Sequence, residues 1–321
     1  MALGYWGEPR SMSDDIADLI IVDGRGVLWR SSYSNAKLGY AGPDGWQPTG
    51  GVYGFLESVL SLAYRHEGAS VYVAWEGFKS REVRRRELPS YKQRDDSDDD
   101  RARLAKLVIK QEAILKGVLK STGWTQVQAN GWEADDAIAT IAEKGYREGL
   151  QSLVLSSDAD LFQTLREPDV EYPGWVRVHK PNGKKGTLWT EPRLSEEWGI
   201  SPEQIPDVKA LSGDASDNYK GIPGIGHKWA CKIVKEYGDL FGVIEHAKKN
   251  GEICGSNKKA KDLLENEKYA ISCLKVAIAN ASAKVKMRRG EASKKELRSI
   301  LGRLRFNSLN NDRAIGRMLT R

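Results

Sequence analysis

The chain has 321 residues, 40% of them hydrophobic, which is enough for two domains or one large fold with an added module and too apolar for global disorder. Its formal net charge of +6 is mild, but basic and acidic residues come in blocks, which suggests a polyanionic partner together with divalent cations. Cys231, Cys254 and Cys273 form no CxxC pair and read as reduced thiols, with no zinc site; no apolar run approaches a membrane span, and the N-terminus "MALGYWGEPRSMSDD" has no signal-peptide pattern.

Residues 1–15 read as a loose tail. "LIIVD", ending in Asp23, reads as a buried parallel strand. Val52, Phe55, Val59 and Leu62 fall at helical spacing, and "ASVYVAWEG" is a second strand running into Glu76. A basic segment, "KSREVRRRELPSYKQR", precedes the acidic run "DDSDDD". Residues 101–120 carry Leu104, Leu107, Val108, Leu115 and Leu119 on one helical face. "GWEADDAIATIAEKG" opens another helix with carboxylates in its first turn, and "QSLVLSSDAD" is a third strand. "WVRVHKPNGKKGTLW" reads as a hairpin around Pro-Asn-Gly. From about residue 196 the chain reads as helical, interrupted by a glycine-rich turn at 221–226.

Strands alternating with helices predict an α/β fold with a mostly parallel central sheet, whose ligands bind beyond the carboxyl ends of the strands. Asp23, Glu76, Asp158 and Asp160 all fall at or just after such ends. Glu133, Asp135 and Asp136 in a first helical turn could simply complement the helix dipole, and Asp214 and Asp217 could cap a helix. Taken together, nine carboxylates can reach one edge, where without cations they would repel and raise one another's pKa. Oxygen ligands without histidine or cysteine select Mg²⁺ or Mn²⁺, and nine suit two or more ions, the arrangement that hydrolyses phosphodiesters.

Residues 79–94 hold Lys79, Arg81, Arg84, Arg85, Arg86, Lys92 and Arg94 against Glu82 and Glu87 alone. A solvated basic face would account for them, but directly after a metal-site strand they are placed to grip phosphates, and Lys92 to neutralise charge on the scissile one. "GIPGIGHKWACKIV" has Gly221, Gly224 and Gly226 ahead of a helix carrying Lys228, Lys232 and Lys235. Backbone N–H groups at that helix start would hold a phosphate of duplex DNA without reading sequence.

The motifs "VDGRGVLWR", "VAWEG", "RRRELPSYKQR", "EADD", "LSSDADLFQTL" and "GDASDNYKGIPGIGHKWA" together resemble the flap endonuclease / 5′–3′ exonuclease family, and "LRSILGRLRFNSL" resembles its C-terminal part. The resemblance implies a nuclease core over residues 16–195, with a helical arch at about 79–120 that admits a 5′ single strand. It further implies a helix–three-turn–helix DNA-binding module over 196–290 and a helical extension over 291–321. The nine carboxylates become the metal cluster, Arg30 a phosphate contact, Arg84 and Lys92 catalytic gateway residues that also bind DNA, and the turn near 217–226 a holder of K⁺. The implied activity is structure-specific hydrolysis of DNA from 5′ ends, flaps or nicks, by a cytoplasmic, monomeric, stand-alone nuclease of phage or bacterial type. Glu76 departs from the family's usual aspartate, and the spacing of Arg94 from Lys92 departs in some relatives. The alternatives are a catalytically weak DNA-structure-binding protein on the same scaffold and a ribonuclease acting on RNA–DNA hybrids.

Overall fold

All five residues of Leu19–Asp23, strand β1, are buried, as an apolar run covered on both faces of a sheet must be. The computed structural model describes residues 16–42, 45–93, 99–181 and 186–320; the expected tail, Arg94, most of the acidic run and the tip of the Pro-Asn-Gly hairpin lie outside them. After β1 come α1 (Gly24–Ser34), the hairpin β2 (Gly39–Gly42) and β3 (Gly45–Pro48), α2 (Gly50–Arg65) and β4 (Ser70–Trp75). The short α3 (Glu82–Glu87), the long α4 (Asp99–Leu119), β5 (Thr125–Ala129), α5 (Ala134–Arg147) and β6 (Gln151–Leu155) follow. The hairpin of β7 (Trp175–Lys180) and β8 (Thr187–Trp189) leads to α6 (Glu191–Trp198) and α7 (Ile205–Ser212), then to the two-residue strands β9 (Gly213–Asp214) and β10 (Tyr219–Lys220). The chain ends with α8 (His227–Tyr237), α9 (Leu240–Asn250), α10 (Asn257–Glu265), α11 (Glu267–Ala277), β11 (Val285–Arg289), α12 (Lys294–Arg303) and α13 (Asp312–Leu319).

The main sheet has the order β11-β5-β4-β1-β6-β7-β8. Its five inner strands are parallel, and β11 and β8 are antiparallel edges. The chain moves from β1 to β4 and β5 on one side, then returns to lay β6 and β7 on the other. The switch between β1 and β6 opens a crevice beyond their carboxyl ends, where open α/β sheets bind ligands. One face packs against α5, α7 and the helices up to α11 through Ile21, Ile138, Val154 and Leu211. The other packs against α1, α2, α4, α12 and α13 through Val22, Phe55, Leu115, Leu297 and Ile315.

Three parts differ from the expectation. Strands β2–β3 are polar or glycine-rich and gave no apolar alternation, and β5 alternates only Val127 and Ala129 with Gln126 and Gln128, too short a pattern to stand out. Strand β11, in a stretch expected to belong to the helical module, pairs with β5 as the sheet edge. In α4, Val108, Leu115, Val118 and Leu119 are buried while Leu104 and Leu107 are only partly so. The second half of α4 is docked on the core, where Gln111 Oε1 accepts from Gly51 N–H at 2.7 Å at the start of α2. Among the described residues no helix is long and apolar enough to cross a membrane.

Candidate metal centre and nucleic-acid interface

Asp23 ends β1 and caps α1: Gly26 N–H donates to its Oδ1 at 2.8 Å, and Ser156 Oγ donates to its Oδ2 at the same distance. A Cβ on Gly26 would stand 2.0 Å from Asp23 Oδ2, so only glycine lets the carboxylate fold back over the helix start. Glu76 follows β4, and its Oε2 is buried without a hydrogen-bond partner. Asp135 sits in the first turn of α5, and Asp158 follows β6, where its backbone N–H donates to Ser156 Oγ. Burial, then the charges of Asp158 and Asp23, push the Asp135 carboxyl well above its ordinary value. Burial likewise raises Asp23, partly offset by its two hydrogen bonds, and burial with Glu133 nearby raises Glu76. These groups form a pocket of negative charge that lacks enough cations of its own.

A second group lies beside the first. Carboxylate oxygens of Asp160, Asp214 and Asp217 come within 4.8 Å of one another. Asp160 is carried by a 3-10 turn over Ala159–Thr164, and Asp214 and Asp217 by the β9–β10 hairpin. Asp214 Oδ1 accepts from the N–H groups of Ser216 at 2.7 Å and Asp217 at 3.2 Å, which fixes the loop. The Lys209 ammonium, from α7, contacts both Asp160 and Asp214. Burial raises the pKa of Asp214, but Lys209 more than compensates and holds it below the ordinary value; at Asp160 desolvation, with Asp158 beside it, outweighs the same lysine and keeps the carboxyl raised.

Glu133 and Asp136 belong to a third arrangement, and here the structure departs from the sequence expectation. Asp136 is fully buried and takes a two-pronged grip from Arg84, Nη1 at 2.7 Å and Nη2 at 2.8 Å. It also accepts from the backbone N–H groups of Glu133 and Asn280. Its oxygens are thus committed within the protein, and Asp136 is removed from the free metal ligands. Arg84, expected to face DNA in the gateway, is 6% exposed, and its remaining N–H groups donate to the carbonyls of Val276 and Ile278. It clamps α3 to α5 and to the end of α11. Glu133 is 1% exposed and receives Arg84 at 3.1 Å, the Tyr91 hydroxyl at 2.5 Å and Lys92 Nζ at 2.9 Å.

Lys92 itself turns into the centre. Its φ of 48° puts the backbone in the left-handed region, and its N–H donates to the carbonyl of Asp217 at 2.8 Å. Its ammonium lies 3.4 Å from Asp217 Oδ1, so one lysine bridges two carboxylates from distant parts of the chain. Burial alone would lower its pKa; Glu133 and Asp217 outweigh this and hold the amine protonated.

The glycine turn follows β10. A Cβ on Gly221 would meet the Ser212 carbonyl carbon at 2.2 Å, so this glycine serves close packing of the hairpin. Gly224, at φ 74°, and Gly226, which precedes α8, have open space beside them. Lys228 and Lys232 are exposed on α8, and Lys232 and Lys259 both lie over the Trp229 ring, at 5.0 and 4.4 Å. Arg30 lies on α1, partly exposed.

Sequence reasoning missed Lys209, Ser156 and Tyr91, and a linkage near the centre in which Arg25 Nε meets Glu112 Oε2 at 2.9 Å. Lys209 had a readable signal, a lysine set between Val208 and the apolar pair Ala210 and Leu211.

A mostly parallel α/β sheet with carboxylates gathered past its strand ends, followed by a glycine turn and a basic helix, is an arrangement suited to hard divalent cations and phosphate. The chain belongs to the 5′–3′ exonuclease family. Residues 18–199 match the family's N-terminal resolvase-like domain and residues 200–298 its C-terminal SAM fold. Thermostable DNA polymerase I of Thermus thermophilus is 31% identical over 294 residues, covering 91% of this chain and 32% of that protein. DNA polymerase I of Mycobacterium tuberculosis is 32% identical over 229 residues, covering 71% of this chain and 24% of that protein. The chain therefore spans about a third or less of these polymerases. Among solved structures, T5 5′-exonuclease with bound zinc has the same fold, with a TM-score of 0.64 at 20% identity over 94% of this chain and 96% of that one. T5 D15 flap endonuclease in a complex with DNA and metal ions gives 0.62 at 19% identity over 94% and 97%.

Proposed function

We propose that the chain hydrolyses phosphodiester bonds of DNA from 5′ ends, at flaps and nicks, with Mg²⁺ or Mn²⁺ at the two acidic groups. The observation that carries this reading is the pair of clusters. Asp23, Asp135 and Asp158, with Glu76, are short of positive charge, and Asp160, Asp214 and Asp217 converge beside them. Carboxylate oxygens alone, one of them a buried orphan on Glu76, fit hard divalent ions. Such ions would polarise the scissile phosphate and activate a water.

The chain's own residues do the rest. The Lys92 ammonium, kept protonated by Glu133 and Asp217, is placed to donate to an oxygen of the scissile phosphate as charge develops there. Arg84 and Asp136 hold the base of the gateway in register with α5, a positioning role. The turn at 221–226 and the start of α8, with Lys228 and Lys232, would hold the duplex by its phosphates at a fixed distance from the centre, aided by K⁺ in the turn near 217–226. Arg30 on α1 would add a phosphate contact. In this reading the nuclease core is 16–195 with the arch at about 79–120, the DNA module 196–290 and the extension 291–321. The enzyme acts as a cytoplasmic monomer, and an RNA–DNA hybrid is a second substrate of the same chemistry.

The test is a 5′-labelled flap duplex, incubated with the protein and increasing Mg²⁺, with a matching RNA-flap substrate alongside. The expected result is divalent-dependent release of 5′ products. Tight binding without cleavage at any Mg²⁺ or Mn²⁺ concentration would overturn the reading in favour of a DNA-structure-binding protein.

A further inference from the structure

Away from the carboxylates, a cavity of about 630 Å³ opens between the end of α4 and the sheet edge formed by β5 and β11. Lys116, Lys120, Lys286 and Arg288 line it together with the amides of Gln126 and Gln128, and no carboxylate among the described residues does. The strand register pairs Lys286 with Gln128 and Arg288 with Gln126, which sets these four side chains on one face of the sheet. Lys116, in the last turn of α4, and Lys120, just past its end, converge on that face from outside the sheet. Basic side chains on an edge strand are a common guard against edge-to-edge aggregation. That guard would account for Lys286 and Arg288 but not for Lys120, which reaches the same cavity from just past α4, beside a Lys116 already held by Glu112.

The cavity is also joined to the metal centre. Trp75, on its wall, directly precedes Glu76, and Lys116 Nζ stands 4.6 Å from its ring. Lys116 Nζ binds Glu112 Oε1 at 2.6 Å, and Glu112 Oε2 binds Arg25, two residues after Asp23, at 2.9 Å. From Glu112 to Leu119, the last residue of α4, the helical rise is about 10 Å. A stripe of polar and basic groups therefore leads from the centre, down the docked half of α4, into a cationic pocket.

We propose that this cavity is an accessory phosphate subsite that holds the single-stranded 5′ arm of a nucleic-acid substrate beyond the point of cleavage. The proposal rests on the nuclease reading above. It assigns the arm's backbone phosphates to Lys120, Lys286 and Arg288, with Gln126 and Gln128 as hydrogen-bond donors. Contacts of this kind hold the strand without reading its bases.

The experiment uses the full chain in EDTA and two fluorescent duplexes that differ only in carrying a long oligothymidine 5′ arm or none. The K286E/R288E variant is expected to lose about tenfold in affinity for the armed duplex and nothing for the armless one. The slope of log affinity against log salt for the armed duplex should shrink by ~0.7 for each phosphate the variant no longer neutralises. K120Q, which leaves the edge strand untouched, is expected to weaken binding less and in the same direction, and this separates a missing phosphate grip from misfolding of β11. An unchanged ratio of the two affinities in both variants overturns the proposal, and so does an equal loss on both duplexes. Failure of the wild-type chain to cleave a 5′-armed duplex in Mg²⁺ is a separate outcome, one that strikes the nuclease reading and leaves the binding comparison intact.

Discussion

Two halves of one acidic edge are built on opposite plans. Around Glu133 and Asp136, the protein supplies its own cations: Arg84, Lys92 and the Tyr91 hydroxyl fill the carboxylate oxygens, and burial is nearly complete. Around Asp23, Asp135 and Asp158 it supplies hydrogen bonds from Gly26 and Ser156 but too little positive charge, and burial pushes Asp23 and Asp135 upward. The first half is stable as folded. The second leaves buried carboxylates that the added cations of the proposed reading would neutralise. Carboxylates of the same type, neighbours along one helix turn, are thus divided between architecture and chemistry by which side chains meet them.

The largest expected effect falls on the half short of cations and on the group beside it. Asp158→Ala in the first, or Asp160→Ala in the second, is expected to lower cleavage by about 10³-fold or more, ~4 kcal/mol of transition-state stabilisation, with duplex affinity in EDTA retained. Single-turnover cleavage alongside anisotropy binding checks this, and near-wild-type cleavage would erase the distinction between the halves. On the neutralised half the expected loss is in stability. Arg84→Ala leaves Asp136 buried without its cation and Glu133 with one fewer, and is expected to cost about 3–5 kcal/mol of folding free energy. Arg84 and Asp136 replaced together by apolar residues of similar size should recover much of it, measured by urea unfolding. A normal urea midpoint for Arg84→Ala, paired with weakened DNA binding, would return Arg84 to the gateway role expected from the sequence.

That last contrast shows what the sequence could carry. Asp23, Glu76 and Asp158 were legible because a buried strand ends at a definable residue, and side chains past that end share one sheet edge. Asp135 and Asp136 are adjacent letters, and a motif cannot separate them. About 100° of helix rotation does so, turning one to the crevice and the other to an arginine 52 positions earlier in the chain. Lys209 and Ser156 were missed for the same reason, since their roles exist only where distant segments meet. Strand β11 did carry a signal, since Val285 and Met287 alternate with Lys286 and Arg288, but the run is short and lies in a stretch that otherwise reads as helical. The glycine turn was legible as a turn, but whether a glycine packs, as Gly221 does, or faces open space, as Gly224 does, needs coordinates.

Lys92 tests the border between the halves, since it binds Glu133 on one side and Asp217 on the other. Lys92→Ala is expected to lower kcat by about 10²-fold with little change in KM, as removal of one charge that acts on the transition state does. A rise in KM alone would make it a binding residue.

A smaller effect reads the charge deficit directly. The folded-state pKa of Asp135 is raised, so its ionised form weakens the metal-free fold, and that penalty is absent below its unfolded value and grows as pH rises toward the folded one. Asp135→Asn is therefore expected to raise the melting temperature in EDTA at pH 8, with the gain vanishing near pH 4, and to forfeit the stabilisation that Mg²⁺ gives the wild type. Equal gains at both pH values would mean that packing, not charge, sets the difference.

The smallest expected effect lies outside both halves. Lys228, exposed on α8, meets no buried carboxylate and touches neither cluster, so its replacement by alanine should leave stability and kcat alone. If it contacts one phosphate, affinity for a nicked duplex falls severalfold, about 1 kcal/mol, and the salt slope drops by ~1 whatever the base sequence. That pattern would set the DNA-holding surface apart from the acidic edge, since a charge that binds a phosphate in solvent is felt through salt, and a charge buried among carboxylates is felt through pH and metal. A salt slope unchanged in Lys228→Ala would move the duplex path off this helix and leave the open space beside Gly224 and Gly226 without a phosphate to face.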